Sequence, residues 1–357
     1  MHAVTAPALS LAEALARVAA GAAALDARPA FPHAAFAALE AAGVPAATVG
    51  GRPPGRAGEW ALVRAVARAD ASVGRILDGH LNAVDRLAAV AEEPLRSDEL
   101  TAVAEGRLRL GVWGADPGPG EGPPARVVPA SGGPVLEGVK TFCSGAGGVQ
   151  RALVLARGAE QGPPLLVYAD LGADLTIDRT WFRAAGMRAS ESHRVVFSGA
   201  RVLAVLGAPG ELSRDPWFGL DAIRTAATWA GIADAAVEAA LDLLAARGEP
   251  DDLAALAAGR LRGHQATIDA WLDSAAAAVE ADPTAPVVTR SVHLREAVAG
   301  AGRSILDEAA RACGSRPFAT GGALDRARRD LETFVLQHRL DPLVARAGRA
   351  VLRERGG

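Results

Sequence analysis

The chain is poor in cysteine. Of its 357 residues only two are cysteines, Cys143 and Cys313, far apart and without a C-x-x-C or Cys/His spacing. That argues against a disulfide framework and a zinc site, so no metal is expected, and it suits a reducing cytoplasm. Aromatic residues make up only 4%, so helices are expected to pack closely through abundant alanine. A large excess of charge of one sign is also lacking. A formal net charge of −3 and a pI near 6.2 give no polyanion-binding signature, and nucleic acid is not an expected partner. No window of about 18 uninterrupted apolar residues occurs, nor a basic segment followed by an apolar stretch and a cleavage site, so neither membrane spanning nor secretion is expected. Two nucleotide-binding templates fail as well. Gly118-x-Gly120-x-Gly122 is not followed by a βαβ unit, and no Gly-x-x-x-x-Gly-Lys-Ser/Thr loop appears.

What is present is core-forming material. Half of the chain is hydrophobic, enough for a large core in two or three domains. From residue 1 to about 105, apolar positions recur at three and four, as in Leu11, Ala14, Leu15 and Val18, and then in Val63, Val66, Val73 and Leu77. This predicts a helical N-terminal domain. Between 106 and 204 the pattern changes to short runs bounded by Gly, Pro and Asp. Leu108–Trp113, Val135–Phe142, Ala152–Leu155, Leu165–Tyr168 and Arg194–Phe197 are the expected strands of a small antiparallel β-domain or barrel. Residues 205–357 return to helical periodicity, with helices expected from near Asp221 to Leu244 and over 252–280, 287–313 and 324–355. Four long helices in succession predict an antiparallel bundle. The expected fold is mainly α with a central β-domain.

Two segments of the β region carry the most information. Gly138-Val-Lys140-Thr-Phe142-Cys143-Ser144-Gly-Ala146 is followed about forty positions later by Gly186-Met-Arg188-Ala-Ser190-Glu-Ser192-His-Arg-Val-Val-Phe197. In type, order and separation they resemble the flavin-facing strands of the acyl-CoA dehydrogenase family, in which a Gly-x-Lys strand ends in an aromatic-aliphatic-Thr/Ser turn and a Gly-x-Arg-x-Ser-x-Thr/Ser turn leads into a strand ending in Val-x-Phe. Phe31-Pro32, Ala67-Arg-Ala-Asp70-Ala-Ser-Val73, Gly111-Val-Trp113-Gly114-Ala115-Asp116-Pro117, Gly231-Ile-Ala233 and Arg328-Arg-Asp330 extend the resemblance over roughly residues 25–345. It implies a helical domain, a β-domain and a helical bundle, the order that the periodicity also predicts.

The resemblance implies roles for particular residues. Ser144 takes the place of a hydroxyl that bonds flavin near N5, Phe142 that of an aromatic wall beside the ring, with Cys143 between them. Trp113, Gly114 and Ala115 would lie on the opposing strand, where Ala115 replaces the family's Thr and loses a side-chain hydrogen bond. Arg188, Ser190 and Ser192 would help close the site and position substrate, and Arg224 resembles an Arg near the substrate entrance. The departures matter equally. Most relatives carry a catalytic base in Tyr-Glu-Gly-Thr after Arg-Asp; here no Glu-Gly-Thr exists and His338 falls at that spacing. A minority place the base before an Arg on the first bundle helix, which makes Asp221 a second candidate. The segments that grip the ADP half of FAD are replaced by Arg247-Gly-Glu-Pro-Asp251 and Cys313-Gly-Ser-Arg316. FAD is therefore the expected cofactor, with FMN as the alternative. The implied activity is hydride transfer from an acyl thioester, such as an acyl-CoA, to flavin N5, coupled to an electron acceptor. The alternatives are a two-component flavin monooxygenase of the same fold, fed by a flavin reductase, and an inactive relative. A homodimer or homotetramer in the cytoplasm is the implied state.

Overall fold

The structure, a computed structural model, describes residues 8–51, 55–158, 162–172, 174–337 and 339–356. In chain order the helices are α1 (Leu11–Ala27), α2 (His33–Ala41), α3 (Gly55–Ala69), α4 (Ala71–Val90) and α5 (Leu95–Ala104). The strands follow as β1 (Leu110–Trp113), β2 (Arg126–Val128), β3 (Val135–Cys143), β4 (Arg151–Ala156), β5 (Leu165–Asp170), β6 (Leu175–Asp178) and β7 (His193–Leu206). The chain then becomes helical again with α6 (Trp217–Ala245), α7 (Asp252–Ala281), α8 (Val288–Cys313), α9 (Arg316–Thr320), α10 (Ala323–Phe334) and α11 (Leu340–Gly356). Among the described residues no helix is long and apolar enough to cross a membrane.

Contacts divide the chain into two compact units. One holds residues 1–53, 75–183 and 188–214; the other holds 54–74, 184–187 and 215–357. In the first unit α1 begins with a reciprocal cap, Ser10 accepting from the Glu13 amide and Glu13 accepting from the Ser10 amide, which satisfies donors that a helix start leaves unpaired. The sheet order is β1-β4-β5-β7-β3-β2, with β6 beside β7, and β1 and β4 run parallel while the other pairs are antiparallel. Two contacts join its ends. Val127 donates to the carbonyl of Arg157 beyond β4, and Thr141 of β3 donates to the carbonyl of Ala115 beyond β1. The interior is filled by Trp113, Leu136, Val154, Val167, Val195 and Phe197. Tyr168, Leu110 and Leu153 pack in a second core with Val84 and Leu87 of α4.

Strand β7 is longer than the pattern predicts. The pairing passes from Glu137↔Ser198 to Leu136↔Ala200, so Gly199, at φ +107°, is an extra residue. A bulge of this kind bends a strand without ending it. Beyond it β7 continues against β5, from Ala169↔Val202 to Leu166↔Leu206. One strand thus serves two neighbours and curls the sheet. Strands β2 and β6, only three and four residues long, carry too little alternation to be recognised.

The second unit is organised on α6, whose residues from Gly219 to Asp234 are buried without interruption. A helix buried on every face belongs at the centre of a bundle. Gly231 makes this packing close: a Cβ there would overlap the carbonyl oxygen of Arg64 on α3. α7 is capped by Asp251, whose side chain accepts from the Ala254 amide. α6 begins at Trp217, four residues before the start expected near Asp221, which therefore sits inside the helix. The stretch expected as one helix over 324–355 is two, α10 and α11. Pro342 accounts for the break, since it lacks an amide hydrogen and is tolerated only in a first turn.

Candidate functional site

Strand β3 ends beside a group of buried hydroxyls. Ser144, Ser190 and Ser192 are all buried. The Ser144 and Ser192 hydroxyl oxygens are 2.9 Å apart, and those of Ser190 and Ser192 2.7 Å, so three rotatable hydroxyls form one chain. Main-chain bonds fix the surrounding turns: Gly145 donates to Ser190 O at 2.8 Å and Ala146 to Glu191 O at 3.2 Å. Trp113, buried at the end of β1, donates its indole N–H to the Ser144 carbonyl at 3.0 Å. Of the residues expected at the cofactor, the structure therefore brings Trp113 to Ser144, and it joins Ser144 to Ser192, and through it to Ser190, both expected at the substrate.

Phe142 takes the opposite orientation. It is 54% exposed and has a positive φ of 51°, a conformation costly for a bulky residue. Its ring stands nearly perpendicular to those of Trp181 and Phe182, with centroids 4.8 and 6.5 Å away. Trp181 is anchored in turn by donating to Glu121 Oε1 at 2.6 Å. That bond, with the one from the Gly118 amide, holds the Glu121 carboxyl below its ordinary pKa. The Gly- and Pro-rich loop that suited no nucleotide template thus supplies the carboxylate behind the aromatic wall. Sequence reading missed Glu121 and Trp181; a lone acidic residue among the glycines of residues 118–122 was the available signal.

The Gly-x-Lys pattern acquires a physical cause. Lys140 is the only lysine in the chain and is 1% exposed. Its ammonium donates to Asp116 Oδ1 at 2.7 Å and to the Gly114 carbonyl at 3.1 Å, holding the Gly114-Ala115-Asp116 segment against β3. Burial lowers its pKa, against the opposing pull of Asp116. Gly138 has φ +105°, and a Cβ there would stand 2.6 Å from the Pro124 carbonyl, so this position demands glycine. Cys143 is fully buried and burial pushes its thiol pKa well up, leaving it a packed, unreactive residue.

Beside the serines, Glu191 is buried with φ +48° and paired with Arg179. The His193 ring lies 3.3 Å from Glu191 Oε2. Burial raises the Glu191 pKa, but His193 and Arg179 outweigh it and the net direction is down. Arg188 opens the short turn of 3-10 helix at residues 188–190 and is half-buried.

In the second unit, Gly186 and Met187 dock on α10. The Met187 amide donates to Asp330 Oδ1 at 2.5 Å, and Arg329 donates to Ala185 O at 2.7 Å. A side chain at Gly186 would overlap the Arg329 carbonyl. Two motifs 143 residues apart are thus one contact. Arg224 is wholly buried and donates to Glu59 on α3 and to Asp221 Oδ1 at 2.8 Å. Its guanidinium is engaged in a buried ion cluster, and so is the Asp221 carboxylate. Glu59 was not anticipated from sequence. His338 lies outside the described residues. Arg247 donates to the carbonyls of Ala312 and Cys313 at 3.0 and 3.1 Å, closing the end of α8.

No family model and no curated protein matches the sequence. Solved structures do match. KijD3 in complex with FMN and a dTDP-linked amino-keto sugar is 23% identical, with a TM-score of 0.83 over 98% of this chain and 95% of that one. The FMN-bound dibenzothiophene monooxygenase TdsC from Paenibacillus sp. A11-2 is 19% identical, with a TM-score of 0.83 over 96% of each chain. Butyryl-CoA dehydrogenase from Megasphaera elsdenii is 17% identical, with a TM-score of 0.83 over 96% of this chain and 98% of that one. The chain has the acyl-CoA dehydrogenase fold, as the resemblance of its motifs led us to expect.

Proposed function

We propose that this protein is a flavin-dependent oxidoreductase, and more finely a monooxygenase that uses reduced flavin supplied by a separate reductase. The finer reading is carried by the ion pairing of Asp221. Dehydrogenation of an acyl thioester needs a carboxylate that can reach the Cα proton, and the candidate on α6 is held by the buried Arg224. Oxygenation requires no such base.

The end of β3 fits a flavin. Phe142 offers an exposed aromatic face next to a buried hydroxyl chain, which matches the mixed apolar and polar demands of an isoalloxazine ring. Ser144 would bond the ring's polar edge, and the Gly114–Ala115 main chain, held by Lys140, would face its pyrimidine side. A bound reduced flavin would supply the electrons that activate dioxygen. Around it the chain's residues exclude water and orient hydroxyls. Ser144, Ser190 and Ser192 can switch between donating and accepting by rotating O–H bonds alone, so either redox state of a cofactor can be met without moving heavy atoms. Between FAD and FMN, the capping role of Arg247 favours FMN, because that guanidinium is engaged at α8 and not offered to an ADP moiety.

Dehydrogenation of an acyl thioester is the second reading, supported by the fold shared with butyryl-CoA dehydrogenase. One experiment separates them. The protein is reconstituted with FMN or FAD, and its visible spectrum is followed without oxygen on adding acyl-CoA thioesters, then after chemical reduction and admission of air. A flavin that ignores the thioesters and consumes oxygen only after reduction supports the monooxygenase. Anaerobic bleaching by an acyl-CoA refutes it in favour of the second reading, and failure to bind either flavin refutes both.

A further inference from the structure

Arg295, on α8, is only 1% exposed, and its Nε and Nη2 have no hydrogen-bond partner among the described residues. On α6, Trp229 is fully buried and its indole N–H is equally unpartnered. The two side chains are neighbours: the Arg295 guanidinium carbon stands 5.6 Å from the centre of the Trp229 ring, and Phe334 meets that ring edge-on at 6.1 Å. Burial alone draws the Arg295 pKa down to about 10, so the group is a cation at neutral pH. A buried cation without a counter-charge is among the costliest arrangements in a protein.

The unit's other buried carboxylates are committed elsewhere. Glu59 and Asp221 hold Arg224, Asp70 accepts from the Val73 amide, Asp234 holds Arg64, Asp330 accepts from Met187, and Glu308 pairs with Arg311. The orphaned nitrogens are also not a random pair. Nε and Nη2 share one edge of the guanidinium, the fork that grips two oxygens of a carboxylate or related anion.

We propose that Arg295 and Trp229 form an internal oxyanion site between α6 and α8, in which the Nε/Nη2 fork and the indole N–H hold one small carboxylate, nitrate or phosphate. The site is independent of the flavin reading. It supplies the missing negative charge, and it makes the stability of the helical unit depend on the anions in solution, because a ligand bound only by the native state stabilises it.

Thermal unfolding of the purified full chain tests this, with sodium formate, nitrate and phosphate titrated against sodium chloride at equal ionic strength. The wild-type melting temperature is expected to rise saturably with an oxyanion. Arg295→Leu removes the rise and leaves the anion-free protein no less stable, since deleting an uncompensated charge relieves its burial. Trp229→Phe weakens the apparent affinity by about tenfold, the value of one hydrogen bond to a charged group. A wild-type melting temperature that does not distinguish the salts means that the fork is satisfied by water, and overturns the proposal. So does an anion response that survives undiminished in Trp229→Phe, which decides the matter should Arg295→Leu not fold.

Discussion

Replacing Arg224 by methionine keeps the side-chain length and deletes the charge between Glu59 and Asp221. The side chains of the three residues are 0%, 3% and 12% exposed, so water reaches none of them freely. Removing one partner of a buried ion pair costs about 3–5 kcal/mol, because the remaining charge stays uncompensated. Arg56, 2.6 Å from Glu59 and 21% exposed, retains part of the compensation, which puts the expected loss at the lower end, about 3 kcal/mol. The melting temperature should fall by on the order of 5 °C. The measurement is urea and thermal unfolding of Arg224→Met beside a triple variant that also carries Glu59→Gln and Asp221→Asn. The triple variant buries no charge at the cluster and should recover most of the loss. Suppose instead that Arg224→Met unfolds within about 1 kcal/mol of wild type while a substrate's KM rises. Arg224 would then be the substrate-facing residue that its sequence position implies, and the structural argument would be refuted.

Other outcomes follow from single contacts. His80 is buried, with Nε2 bonded to Pro45 O and Nδ1 accepting from Leu110 N, each at 3.0 Å; the neutral ring uses both nitrogens, and burial lowers its pKa from 6.5 to about 4. The unfolded chain therefore binds the proton first on acidification. The stabilisation is complete above pH 6.5, is lost as pH falls towards 4, and amounts to about 3 kcal/mol; unfolding free energies across that range should fall more steeply in wild type than in His80→Gln, and equal slopes would contradict the assignment. Lys140→Arg should destabilise by about 1–3 kcal/mol through overpacking, although the substitution keeps the charge; an unfolding midpoint equal to wild type would contradict the tight seat described for the ammonium. Gly231→Ala should cost about 3 kcal/mol or more because α3 must move away from α6, and a neutral effect in denaturant titration would show that the helices have slack. Ser192→Ala leaves Ser144 and Ser190 without their common partner; flavin titration by fluorescence should show weaker binding by about tenfold, with unchanged affinity arguing against a hydroxyl relay at the cofactor.

Local chemistry was what the sequence disclosed well. The strand carrying Lys140 and Phe142 and the Ser144 turn that follows it were legible because Gly138, the apolar alternation and the turn residues act within a few positions, and the Ser190–Ser192 segment was legible for the same reason. Where a pattern failed, a tertiary partner had overruled it. Gly199 resembles a strand end, yet the sheet absorbs it as a bulge and β7 runs on to β5. Trp181 carries no local signal and Glu121 only that of a lone carboxylate among glycines, since each matters through the other and through Phe142.

The chain by itself determined the helical, β and helical order, the fold family that its motifs resemble, and the hydroxyls and aromatic ring at the end of β3. These depend on periodicity, turn chemistry and short spacings, which are properties of neighbouring residues. Only the tertiary structure decided that α3 packs on α6, that Arg224 is locked between Glu59 and Asp221, that Gly186 and Met187 rest on Arg329 and Asp330, and that Arg295 is buried with no counter-charge among the described residues. Each depends on which groups meet across many intervening residues and on whether water is excluded there. Burial and pairing of charge are properties of the folded interior, and no stretch of sequence contains them.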